Sequence, residues 1–178
     1  MDEARGTLLK SDVVYEGRVL SVHRDEVRLP KGNVARLEVV RHRGSAVLLP
    51  MPDLDHVVLV RQYRYAVDRW MWELAAGSLE PGEEPAVGAA RECEEETGLV
   101  PSRVEALGSF YPTPGYCDEK MHFFRLTGLR ERGEGEERAM PDADEDIRVR
   151  SFSLQDVRDM VRRGEIEDLK TAAGIALL

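Results

Sequence analysis

Gly77-Ser78-Leu79-Glu80-Pro81-Gly82-Glu83-Glu84-Pro85-Ala86-Val87-Gly88-Ala89-Ala90-Arg91-Glu92-Cys93-Glu94-Glu95-Glu96-Thr97-Gly98-Leu99 is the stretch on which the reading of this chain turns. Its opening, residues 77–82, is rich in glycine and proline and reads as a loop. A helix is expected from Pro85 to Thr97, because proline suits a first helical turn and Gly98 suits the position just past the end. Ala86, Ala90, Cys93 and Thr97 fall on one side at helical spacing and are expected to form the face that packs on a sheet. Glu92, Glu95 and Glu96 stand at i, i+3 and i+4 and converge on a different face, with Glu94 pointing elsewhere. Like charges so close destabilise an isolated helix by ~0.2–0.5 kcal/mol per pair. Hard divalent cations such as Mg²⁺ bind carboxylate oxygens together with substrate phosphates, which gives such a face a use. Taken alone, the helix fits a solvated acidic surface as well as it fits a metal site.

Working outward, residues 19–29 and 34–40 read as two strands joined at Pro30-Lys31-Gly32-Asn33, a turn with proline at a corner and Gly-Asn where positive φ is needed. Residues 46–49 and 56–64 read as a second hairpin around Pro52-Asp53-Leu54-Asp55, and residues 70–74 as a short strand. Strands are expected again over 104–111, 120–126 and 147–152. The polar, acidic run 131–146 reads as a loop. Ser153, with Asp156 three residues on, opens a helix that stops near Gly164, and residues 168–178 form the last one. Strands interrupted by a few helices give an α+β class with a mixed sheet.

At 178 residues the chain is one domain with a small N-terminal extension, large enough to need no disulfide or structural metal. Cys93 and Cys117 fit no zinc spacing and make a poor disulfide framework, which favours a reducing compartment. The first residues carry no apolar signal region and no apolar run is long enough to span a bilayer, so a cytoplasmic protein without membrane association is expected. A formal charge of −9 argues against nucleic-acid binding, which depends on clustered Lys and Arg. It leaves room for a small phosphorylated substrate where metal ions and a few arginines reverse the local field.

The flanking residues decide what the helix is. Gly77, five residues, Glu83, seven residues, then Arg91-Glu92-Cys93-Glu94-Glu95-Glu96-Thr97-Gly98-Leu99 resembles the Nudix hydrolase signature at every fixed Gly, Glu and Arg. Cys93 stands where that family usually has an aliphatic side chain, and as a small buried hydrophobe it is an acceptable replacement. The resemblance implies a Nudix fold, a mixed β-sheet sandwiched between helices. It implies one to three Mg²⁺ ions, with Mn²⁺ as a substitute, on Glu92, Glu95, Glu96 and the carbonyl of Ala76. Glu83 and Arg91 match the family's structural pair, which braces the loop on the helix.

Two further segments resemble the ADP-ribose pyrophosphatase subgroup. One is Val57-Val58-Leu59-Val60-Arg61-Gln62-Tyr63-Arg64 with Trp72-Glu73-Leu74-Ala75-Ala76-Gly77. The other is the loop Tyr111-Pro112-Thr113-Pro114-Gly115-Tyr116-Cys117-Asp118-Glu119-Lys120, where Pro114 lies 15 residues beyond Leu99. By that resemblance Arg64 contacts substrate phosphate, Glu73 lines the pocket, and Pro114, Gly115 and Glu119 belong to the substrate loop. It also implies a homodimer, with residues 1–43 as a dimer-forming β extension ahead of a hydrolase domain, 44–178, and with Arg36 and Glu38 contributing to the partner's adenosine pocket. Subgroup enzymes often carry a catalytic glutamate four residues before the position of Ile147, and here that place is Ala143. Either the neighbouring Glu145 takes over or the helix glutamates suffice. The implied reaction is hydrolysis of ADP-ribose to AMP and ribose 5-phosphate. The alternatives are another nucleotide sugar such as GDP-mannose, a non-catalytic nucleotide sensor, and a sanitiser of oxidised triphosphates.

Overall fold

The computed structural model describes residues 4–132 and 147–178. These divide into two compact units, residues 4–44 with 111–120, and residues 45–110 with 121–132 and 147–178.

The first unit is an antiparallel meander of β1 (Thr7–Glu16), β2 (Leu20–Arg28) and β3 (Val34–His42). β2 and β3 meet at the expected turn, closed by Leu29 N–H to Asn33 O at 2.8 Å, with Gly32 at φ 91°. β1 was not anticipated. Its Val13-Val14-Tyr15 run lacks a clean alternation, and all three side chains are exposed. Polar bonds organise this unit. Buried Asp25 accepts from Ser11 Oγ and from Arg41 Nη2, each at 2.6 Å. Residues 111–120 lie along β3, where Val40 N–H donates to Tyr116 O at 2.7 Å and Asp118 N–H to Val40 O at 3.1 Å.

The second unit holds β4 (Ser45–Pro50), β5 (His56–Arg64), β6 (Arg69–Glu73), β7 (Ala76–Ser78), α1 (Pro85–Thr97), β8 (Leu99–Val100), β9 (Arg103–Phe110), β10 (Met121–Thr127), β11 (Arg130–Glu131), β12 (Arg148–Ser153), α2 (Leu154–Arg162) and α3 (Leu169–Ala176). One sheet runs β7-β4-β10-β9 and a second β12-β5-β6, with β8 and β11 as a small pair. β10 runs parallel to β4 and antiparallel to β9, which makes the sheet mixed.

β4 is buried along its whole length, so alternate residues feed two cores. Val47 and Leu49 join Phe123, Val157, Met160 and Ile175 on the side of α2 and α3. Ala46 and Leu48 join Ala89, Cys93, Phe124 and Leu126 on the side of α1. The mixed sheet thus lies between helices, as the α+β reading expects.

Two local expectations are corrected. β4 and β5 are not a hairpin. They belong to different sheets, because doubly buried β4 takes its partners from β7 and distant β10, while β5 takes β12 and β6. A turn-forming sequence at 52–55 redirects the chain without pairing the strands it joins. The inner face of α1 is also rotated from the expected one. Gly88, Ala89, Cys93 and Glu96 are the buried residues, while Ala86 is exposed and Ala90 and Thr97 are intermediate. Small residues alone did not mark the face, since Gly88 sets it through its approach to Leu79.

Candidate active site

α1 starts with Pro85 and ends at Gly98, whose φ of 72° lets its N–H reach Glu94 O at 2.9 Å. On it, Arg91 organises the preceding loop and its own helix together. Its Nε and Nη2 donate to the two oxygens of Glu83, both at 3.0 Å. Glu83 also accepts from Glu80 N–H at 2.9 Å, which fixes the loop. Arg91 Nη1 donates to Glu92 at 2.7 Å and to Glu95 at 2.9 Å. One guanidinium therefore faces three carboxylates. The Arg91 bond holds the Glu83 carboxyl below the usual carboxylate range, and the same carboxylates push the already high Arg91 pKa higher.

Steric detail explains two glycines. A Cβ at Gly77 would fall 1.8 Å from Glu92 Cδ, so the Glu92 carboxylate occupies the space that any other side chain would need. A Cβ at Gly88 would come within 2.8 Å of Leu79 Cδ2 and 3.0 Å of Glu83 Oε2. Cys93 is fully buried, and burial pushes its thiol up to about 11, so it is a packing residue with no thiolate chemistry. Glu96 is buried next to it on the helix, while Glu94 pairs with Arg132.

Among the described residues, no three acidic, histidine or cysteine side chains are already gathered around one point to cage an ion. The donor set nevertheless suits a hard cation. Glu92 and Glu95 are drawn to a single positively charged nitrogen, and Glu96 is one turn from Glu92. Ala76 opens β7 opposite Val47 and adjoins Gly77, which lies against the Glu92 carboxylate.

A second charged cluster stands at the end of β6. Arg64 Nε donates to Glu73 Oε1 at 2.7 Å, and Lys170 Nζ donates to Glu73 Oε2. Glu73 is 1% exposed and Lys170 9%. Lys170 also reaches Asp168 Oδ2 at 3.1 Å, and Asp168 caps α3 by accepting Thr171 N–H at 2.9 Å. Thr171 Oγ1 accepts the buried Leu74 N–H at 2.8 Å. The sequence paired Arg64 and Glu73 with a common site but missed Lys170, Asp168 and Thr171. Lys170 and Thr171 each lie 97 residues from their partners, Glu73 and Leu74, and the local signal is the cap at Asp168.

The other expected residues fall in the N-terminal unit. Arg36 is exposed on β3 with Glu26 3.8 Å away, and Glu38 is exposed opposite Arg24. Pro114 and Gly115 sit in the turn where Cys117 N–H donates to Thr113 O at 3.0 Å, and Glu119 lies 3.9 Å from His42 Nδ1. Glu145, with Ala143 beside it, is outside the described residues.

Comparison with known proteins finds two family models. Residues 40–172 match the NUDIX domain and residues 7–40 the nucleoside diphosphate sugar hydrolase N-terminal domain. The chain is 34% identical to the ADP-ribose pyrophosphatase of Bacillus subtilis (strain 168), over 96% of this chain and 90% of that one. It is equally 34% identical, with the same coverage, to the methanol dehydrogenase activator of Bacillus methanolicus. A solved structure described as an ADP compounds hydrolase superposes with a TM-score of 0.77 at 22% identity, covering 99% of this chain and 94% of that one, a likeness of fold. The match spans the whole carboxylate helix and most of the chain, and the chain belongs to the Nudix hydrolase family.

Proposed function

We propose that this protein is a magnesium-dependent pyrophosphatase that hydrolyses ADP-ribose to AMP and ribose 5-phosphate. The observation that carries the metal-dependent reading is the convergence of Glu92 and Glu95 on one cationic nitrogen, with the Glu92 carboxylate seated in the space that Gly77 leaves for it. Glu92, Glu95, Glu96 and the Ala76 carbonyl are the groups that would hold Mg²⁺, with Mn²⁺ able to substitute. When bound, the ion supplies Lewis-acid polarisation of the diphosphate and lowers the pKa of a coordinated water.

The chain's own residues orient and bind. Arg91, tied to Glu83 by two bonds, keeps Glu92 and Glu95 aimed before any ligand arrives. Arg64 offers the forked guanidinium that suits phosphate oxygens. A carboxylate orients the attacking water, either one from α1 or Glu145. Arg36, Glu38, Pro114, Gly115 and Glu119 bind the rest of the substrate in a homodimer. The apolar side chains that β1 leaves in solvent, Leu8, Val13, Val14 and Tyr15, support that association.

ADP-ribose as the substrate is supported by the name of the Bacillus subtilis relative, and the nucleoside diphosphate sugar class by the match at residues 7–40. The Bacillus methanolicus relative bears a different name at the same identity, so identity alone does not select ADP-ribose. The test is product analysis with ADP-ribose, GDP-mannose, NADH and 8-oxo-dGTP in the presence of Mg²⁺. AMP released fastest from ADP-ribose is the expected result. A preference for GDP-mannose would transfer the assignment to that sugar nucleotide, and no cleavage of any of the four would leave a sensor.

A further inference from the structure

We infer that Lys170 is a positioning residue for Arg64. The inference rests on the reading of Arg64 as the phosphate-binding arginine. Exposure falls steeply along the chain of contacts, from the Arg64 side chain at 40% to Glu73 at 2%. Glu73 therefore meets nothing in solvent and acts only through its partners. Its two oxygens are divided, Oε1 to Arg64 Nε and Oε2 to Lys170 Nζ. Among the described residues, the Arg64 side chain makes its hydrogen bond through Nε, and this leaves the two Nη groups to bind a diphosphate.

A single Glu–Arg pair would already balance charge, so the second cation needs another explanation. Burying an ion pair yields little net stability, whereas it fixes geometry when every oxygen and proton is matched. Lys170 supplies the match at Oε2, and Asp168 neutralises Lys170 from its other side. The first turn of α3 also holds the backbone next to Glu73, through Thr171 Oγ1 on Leu74 N–H. Both the carboxylate that orients Arg64 and the backbone beside it are thus set by one helix end. With Oε2 unmatched, the Glu73 carboxylate is no longer held from both sides, and Arg64 loses its fixed direction.

The test compares Lys170→Met, Lys170→Arg and Arg64→Ala in the full-length protein. Lys170→Met is expected to raise KM for ADP-ribose roughly five- to tenfold, the scale of one weakened charge-assisted hydrogen bond, with kcat nearly unchanged. Lys170→Arg restores part of the loss. In an Arg64→Ala background Lys170→Met adds nothing further to KM, whereas independent, multiplying effects would overturn the proposal. Asp168→Asn keeps the helix cap and removes the charge behind Lys170, so it gives a milder version of the same KM effect in a fold that is preserved. A readout independent of activity is the Arg64 Nε–H signal in ¹⁵N NMR. It shifts in Lys170→Met if Lys170 positions Arg64, and an unchanged signal refutes the idea. Absence of ADP-ribose cleavage by the wild type would count against the substrate reading alone.

Discussion

Two clusters of arginine and glutamate in the same compact unit solve opposite problems. Around Arg91, one guanidinium serves three carboxylates, partly open to solvent. Around Glu73, one carboxylate serves two cations, nearly sealed from solvent. The first gathers three carboxylates on one guanidinium, and under the proposed function these carboxylates serve a metal ion. The second, once Asp168 is included, is balanced around a buried carboxylate, with Arg64 reaching out from it. Losing a carboxylate should therefore cost mainly activity in the first cluster, and in the second it should cost stability together with the aim of Arg64.

The largest effect is expected at the first cluster. Glu96→Gln, or chelation of the metal, should lower kcat by on the order of 10²-fold or more, while the thermal midpoint of Glu96→Gln stays within a few degrees of wild type. Wild-type turnover by Glu96→Gln in excess Mg²⁺ would remove Glu96 from the metal site. The counterpart is Glu73→Ala, which strands Arg64 and buried Lys170 without a carboxylate. It should cost roughly 3–5 kcal/mol in urea unfolding. A loss below ~1 kcal/mol would mean that the two clusters do not differ in kind.

Gly77→Ala tests the space around Glu92. The added methyl must displace that carboxylate, so metal-dependent activity should fall by about tenfold with little change in the unfolding midpoint. The smallest effect concerns acid stability. Glu83 titrates below its ordinary value of 4.5 because Arg91 holds it charged. Its contribution is present above that pH and is lost as pH falls through the lower folded value. Urea midpoints should drop less for Glu83→Gln than for wild type as pH is taken below 4.5, and parallel curves would show that the Arg91 bond adds nothing.

The difference between the clusters is also a difference in what could be read. Glu83, Glu92 and Glu95 lie 8, 1 and 4 residues from Arg91, distances that a loop and one helix settle by their own geometry. Pro85 and Gly98 marked the ends of that helix correctly, because each fits a terminal position for local steric reasons. The face of the helix that turns inward was misjudged, since it depends on Leu79 meeting Gly88. The supposed hairpin of residues 46–64 failed for a related reason, the choice of β10 as the partner of β4.

By itself the sequence determined the α+β class, the carboxylate helix and its link to Gly77 and Glu83, because helix periodicity and turn chemistry act over a few residues. Only the tertiary structure decided that β4 feeds two cores, that residues 111–120 join the N-terminal sheet, and that Lys170 stands behind Glu73. Those contacts join segments whose separation along the chain carries no periodic signal, and they are chosen by how buried surfaces and charges are satisfied together.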